Sequence, residues 1–142
     1  MDWNLDFIEA KYHLAVAERM MNGYGEYSEK RFIIGVINEM ARASSKLIRA
    51  FLIYDNVKEG DLEKFLKNVA PKYLNKITCD NLVKILEVER AQKISPIEFA
   101  KKDKIILLIC GQYKFLTVKR IAEFVKSVGD GVAAFPGNFR QV

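Results

Sequence analysis

Residues 29–54 read EKRFIIGVINEMARASSKLIRAFLIY, with no proline to interrupt them. Ile33, Ile37, Met40, Ser44, Leu47, Phe51 and Tyr54 recur at the three- and four-residue spacing of one helix face. Ile34, Ala41, Ile48 and Leu52 make a second stripe. A helix apolar over more than half its girth has to be packed on two sides, so this segment predicts the central member of a bundle. Ser28 is a good N-cap for it, and Glu29 sits in the first turn, where a carboxylate suits the helix dipole.

Upstream, residues 5–21 predict a first helix with Asn4 as its N-cap and Phe7, Ile8, Tyr12, Leu14, Ala15 and Val16 on its apolar face. Gly23 and Gly25 are expected to end it. Downstream, residues 60–76 predict a shorter helix, opened by Asp61 and broken or kinked at Pro71. Thr78 is expected to cap a helix over 79–93, and Ser95-Pro96-Ile97-Glu98 reads as a short helical turn. Residues 105–110, IILLIC, prefer strand; Gly111-Gln112 supplies a turn and residues 113–116 alternate as a return strand does. A buried helix is the competing reading of that stretch. Thr117 caps a last helix, 118–128, which Gly129-Asp130-Gly131 is expected to end. The fold class is therefore mostly all-α: a bundle of about five helices in one domain, residues 1–132, with a small β-hairpin near residues 104–116 and a loose tail over 133–142.

Composition agrees with a single globular domain. The chain has 142 residues, half of them hydrophobic and 29% charged, which excludes a disordered chain. The longest strongly apolar run, 105–110, is far short of the roughly 20 residues needed to span a bilayer, so no membrane partner is expected. Residues 1–6 are acidic and lack the basic and apolar regions of a secretory signal, so a cytoplasmic location is expected. Cys79 and Cys110 then read as reduced thiols, with a single disulfide as the alternative.

The net charge of +5 is unevenly spread. Residues 1–27 carry two basic and five acidic groups; residues 28–54 carry five basic and two acidic. Residues 55–92 balance, while 93–111 and 112–142 contribute +2 and +3. Such an excess permits binding to a polyanion without demanding it.

Catalytic signatures are missing from the sequence. His13 is the sole histidine, with no second metal ligand at helical spacing and no paired nucleophile, so it reads as structural or exposed. No glycine loop has the spacing of a phosphate cradle, and no cofactor is expected. Two constellations remain. Arg31, Asn38, Arg42 and Arg49, with Lys46 adjacent, share one stripe of the central helix and could meet successive phosphates. The competing reading is the polar edge that any buried helix requires. Lys93, Lys101, Lys102 and Lys104, followed by Tyr113, Lys114, Phe115, Lys119 and Arg120, interleave cations with aromatics, as suits a single-stranded nucleic acid. Here the competing reading is a solvated charge run whose lysines protect a sheet edge.

Residues 10–20, AKYHLAVAERM, leading into the alanine-rich stretch 37–52, resemble the first two helices of the small helical HEPN domains. The run 94–104, the hairpin and the Thr117-led helix are similar to a group of uncharacterised archaeal proteins of similar length. Catalytic HEPN domains are metal-independent ribonucleases that use an arginine followed four to six residues later by a histidine. That motif cannot exist here, because the first arginine, Arg19, follows His13. The resemblance therefore implies a non-catalytic, dimeric member that serves as an RNA-binding, regulatory or antitoxin-like module.

Three functional expectations follow, in descending order. The first is a dimeric module binding RNA or DNA through a basic face formed by Arg31, Asn38, Arg42, Lys46, Arg49, Lys101, Lys102, Lys104 and Lys114. The second is a protein-interaction or assembly module with no nucleic-acid role, suggested by the doubly apolar central helix. The third is an enzyme assembled from scattered residues, with carboxylates such as Glu39, Glu87 or Glu89 pairing with His13 or Arg42.

Overall fold

The computed structural model of the chain describes residues 2–27, 29–94, 98–101, 104–109 and 111–137. It is a mostly helical bundle with a small antiparallel sheet. Helix α1, Trp3–Tyr27, and helix α2, Lys30–Tyr54, are joined by two residues and pack along their length as a helical hairpin. Ser28, the expected cap of α2, lies outside the described residues; Glu29 holds the N-cap position without a side-chain capping bond.

Helix α1 does not stop at its glycines. A Cβ on Gly23 would come within 3.0 Å of the Phe32 ring, and the next residue, Tyr24, is buried. Gly23 thus permits close approach to α2 rather than forming a cap, and packing outweighs the roughly 1 kcal/mol that a helical glycine costs.

Helix α3 is composite, with an opening turn Leu62–Lys64, a π-helical Phe65–Val69 and a closing turn Ala70–Tyr73. Asp61 caps it as expected, its carboxylate accepting from the Lys64 N–H at 2.9 Å. Pro71 explains the wide turn. It lacks an N–H and its ring would collide with the carbonyl four residues back. The Ala70 N–H bonds instead to the Phe65 carbonyl five residues back, so the chain widens where it would otherwise break.

Helix α4, Lys76–Ile94, begins earlier than expected. Asn75, not Thr78, is its cap: the Asn75 carboxamide accepts from the Thr78 N–H at 2.8 Å, while Thr78 itself is buried in the first turn.

Glu98–Lys101 is a strand, β1, and not the helical turn that the sequence suggested; residues 95–97 lie outside the described residues. Strand β2, Lys104–Ile109, is the centre of a three-stranded sheet ordered β1-β2-β3, with β3 spanning Gln112–Thr117. The apolar run of β2 therefore has a strand on each edge, which keeps it from templating aggregation. The hairpin near 104–116 is present, and the helical alternative is not. Gly111 turns it at φ +78°, a conformation glycine adopts freely.

Helix α5, Val118–Ala134, is capped by Thr117, whose hydroxyl accepts from the Arg120 N–H at 3.0 Å. It runs straight through Gly129 and Gly131. A Cβ on Gly131 would lie 2.8 Å from Leu47, so this glycine also marks a close approach.

Two clusters form the core. One gathers Ile33, Ile37, Met40, Leu82, Ile85 and Phe124 with Ile105 and Leu116 of the sheet. The other is aromatic and gathers Phe7, Phe51, Phe65 and Phe135. Phe135 overturns the expectation of a loose tail for residues 133–137; residues 138–142 lie outside the described residues. It is fully buried, stacks on Phe7 at 4.5 Å and meets Phe51 edge-on at 5.0 Å. Replacing it with alanine is expected to cost about 3–5 kcal/mol in urea denaturation. A cost below about 0.5 kcal/mol would mean that this segment is not part of the core.

The loop after α2 is fixed to α3. The Tyr73 hydroxyl donates to Asp55 at 2.5 Å, and Lys72 pairs with the same carboxylate at 3.0 Å. The bond to Asp55, aided by burial, pushes the Tyr73 phenol from 10.0 up to about 12. A pKa raised on folding stabilises below the unfolded value and is lost as pH climbs through the folded one. One tyrosine should therefore titrate late in a phenolate absorbance scan, and Tyr73→Phe should flatten the fall in stability between about pH 10 and 12.

Candidate nucleic-acid interface and a polar cleft

The arginine stripe of α2 exists, but the acidic residues of α1 occupy much of it. Arg49 Nε meets the buried Asp6 at 3.1 Å, and Lys46 Nζ lies 2.8 Å from Glu9 and 3.6 Å from Asp6. The hydrogen bond from Lys46 holds the Glu9 carboxyl below its ordinary value, and the same contact holds the Lys46 ammonium above its own. Arg31 bonds to Glu29 at 2.7 Å. Arg42 Nη1 donates to Glu39 at 3.0 Å. Lys46 and Arg49 are thus ion-paired to α1 in a seam, while Arg31 and Arg42 pair with the N-cap and the body of α2 itself.

His13 is drawn into the same seam. Its Nδ1 lies 2.5 Å from Glu39 Oε2, while the other oxygen of Glu39 takes Arg42. The sequence offered Glu39 as a partner for His13 or Arg42; it serves both. Beside this triad is a cleft of about 540 Å³ between α1, α2 and α4. His13, Asn38, Arg42, Ser45 and Lys46 line one side, and Glu89, Gln92 and Lys93 the other. Lys93 is paired to Glu89 at 2.6 Å. Glu87 pairs with Lys84 instead and is not part of the cleft lining.

The hairpin presents a different surface. Ile105 and Leu116 are register partners, and both are buried. Side chains alternate along a strand, so Tyr113 and Phe115 turn to the opposite face, where they are 75% and 66% exposed. Phe115 is paired with the half-buried Ile106. Lys104, Lys114 and Lys119 are exposed, and none has an ion-pair partner among the described residues. Lys101 lies in β1 with its Cα in register with Lys104; Lys102 lies outside the described residues. Arg120 is committed inward, to Asn81 at 2.7 Å and over the Phe124 ring.

Lys93 thus shares the cleft with Asn38, Arg42 and Lys46 of the α2 stripe, whereas Lys104 and Lys114 lie on the hairpin. Asp6 was not flagged by the sequence, because an acid in a first turn looks like an ordinary dipole partner. Among the described residues, no group of three His, Cys, Asp or Glu side chains could hold a metal ion, and no helix is long and apolar enough to cross a membrane. Cys79 is a half-buried free thiol whose pKa burial pushes up; Cys110 lies outside the described residues.

No protein-family model matches the chain, and no curated protein or solved structure matches it either.

Because Asp6 anchors the seam, Asp6→Ala should destabilise the fold by about 1–3 kcal/mol, the worth of hydrogen bonds to a charged group. Arg31→Ala, on an exposed pair, should change stability by less than about 0.5 kcal/mol in the same denaturation experiment.

Proposed function

We propose that the chain is a non-catalytic nucleic-acid-binding module, of the HEPN-like kind its helices resemble, that holds single-stranded RNA or DNA on the hairpin. The observation that carries this reading is the outward pair Tyr113 and Phe115, two residues apart on one face of β3. Bases stack on such exposed rings whatever their sequence, and nearby lysines hold the phosphates. Charge supports it as well. Residues 1–54 balance, as do 55–92, so the whole excess of +5 lies in residues 93–142.

A second reading uses the same face for assembly. Phe115 on the edge strand β3 is paired with Ile106 on the central strand β2, an apolar pair that suits a homodimer or a protein partner. Fluorescence anisotropy with short labelled oligouridine and oligothymidine separates the two. On the first reading, Tyr113→Ala and Phe115→Ala each weaken binding roughly 5- to 150-fold, the range expected for loss of one stacked base. The affinity also falls with salt at a log–log slope of about −0.7 per phosphate neutralised. Arg49→Gln, in the paired seam, leaves it within about twofold. Absence of binding at about 50 mM salt sinks this reading. A concentration-dependent mass abolished by Phe115→Ala then establishes assembly.

A further inference from the structure

We infer that the outward face of the sheet takes only unstacked bases, so that the single strand it prefers is a run of pyrimidines. This rests on the hairpin being a nucleic-acid surface and names the kind of strand such a surface requires. Alternation and register fix the layout of that face. Phe115 is paired with Ile106, and Thr117 with Lys104, so Tyr113, Phe115 and the Lys104–Thr117 pair succeed one another along it. Lys104 and both rings are exposed, and Lys104 has no ion-pair partner among the described residues. Lys114 is exposed as well, but it alternates onto the face of the buried Leu116.

The spacing of the two rings decides what they can hold. Two residues along an antiparallel strand cover about 6.8 Å, while stacked bases follow one another at about 3.4 Å. Rings about 6.8 Å apart leave room between them for one base. Two bases stacked on each other and covered at both ends by rings need about 10 Å. If each ring instead carries a base on its outer side, the rings separate the two bases. If each ring lies flat under a base, the bases sit side by side. In every arrangement that uses both rings, a base gives up the stack with its neighbour. Contact with an aromatic ring favours all bases, so the cost of unstacking separates them. Adenines stack on one another strongly, whereas uracils and thymines have little stacking to lose. Lys104, at one end of the aromatic row, can hold a phosphate without reading the base.

Fluorescence anisotropy with labelled oligonucleotides of equal length, at one salt concentration, tests this. Oligouridine should bind roughly three- to fifteenfold tighter than oligoadenosine, a range set by the spread of stacking strength per step. Oligothymidine should exceed oligodeoxyadenosine likewise, and a preference confined to one of the two pairs assigns the polymer. Tyr113→Ala and Phe115→Ala each leave one ring, on which the last base of an intact stack can rest. Both variants should bind oligouridine more weakly and bring the ratio close to one. Both rings are exposed, so circular dichroism should find the fold of each variant unchanged. Lys104→Gln should keep the ratio and make the log–log salt slope shallower by about 0.7. Equal or tighter binding of the adenine strands by the unaltered chain, or a ratio that survives loss of either ring, overturns this inference and leaves the nucleic-acid reading standing. Absence of binding to every oligonucleotide overturns both.

Discussion

Burial of α2 on both of its apolar stripes constrains every other element. Ile33, Ile37, Met40, Leu47 and Phe51 have almost no exposed surface, and Ala41, Ile48 and Leu52 on the second stripe are nearly as deep. A helix so covered needs neighbours around most of its circumference. Helix α1 closes one side, α4 and α5 another, and the π-bulged α3 packs under its C-terminal end. Only a narrow strip remains for charged groups, and α1 lies along it. Asp6 and Glu9 of α1 therefore meet Lys46 and Arg49 of α2 as a consequence of packing.

That pairing divides the molecule electrostatically. Charges in the α1–α2 seam are held at short range by partners of opposite sign, so their field beyond about a Debye length is small. Lys104 and Lys114 have no such partners among the described residues, and Tyr113 and Phe115 are exposed on β3. The hairpin lysines and the arginines of α2 therefore differ in how far they are paired. A count of basic residues per segment finds the first; a helical wheel alone points to the second.

The features legible in the sequence were those set by local chemistry. The α2 stripes, the Asp61 and Thr117 caps and the strand preference of 105–109 each depend on residues within a few positions. The features that were not legible depend on distant partners. Gly23, Gly129 and Gly131 look like terminators, yet they lie inside helices; Gly23 and Gly131 admit Phe32 and Leu47 from α2. Phe135 looks like part of a loose tail until Phe7 and Phe51 are brought beside it. Asn75 and Thr78 are both good caps on paper, and burial of Thr78 against the core decides between them. Strand β1 follows from the open edge of β2, not from the helix-opening pattern at Ser95.

The candidate site shows the same split. Alternation along β3 already set Tyr113 and Phe115 on one face, and burial of Leu116 told which face looks outward. Glu39 was offered as a partner for His13 only among several carboxylates, because the two lie 26 positions apart and no spacing rule connects them. The missing ribonuclease motif is a statement about spacing along one helix. The structure nevertheless brings His13, Glu39 and Arg42 together from two helices, at the mouth of a cleft whose other wall supplies Lys93. Spacing along one helix excluded one motif, whereas contact between two helices brought together groups that no spacing rule connects, and only the first kind of arrangement can be read from the sequence.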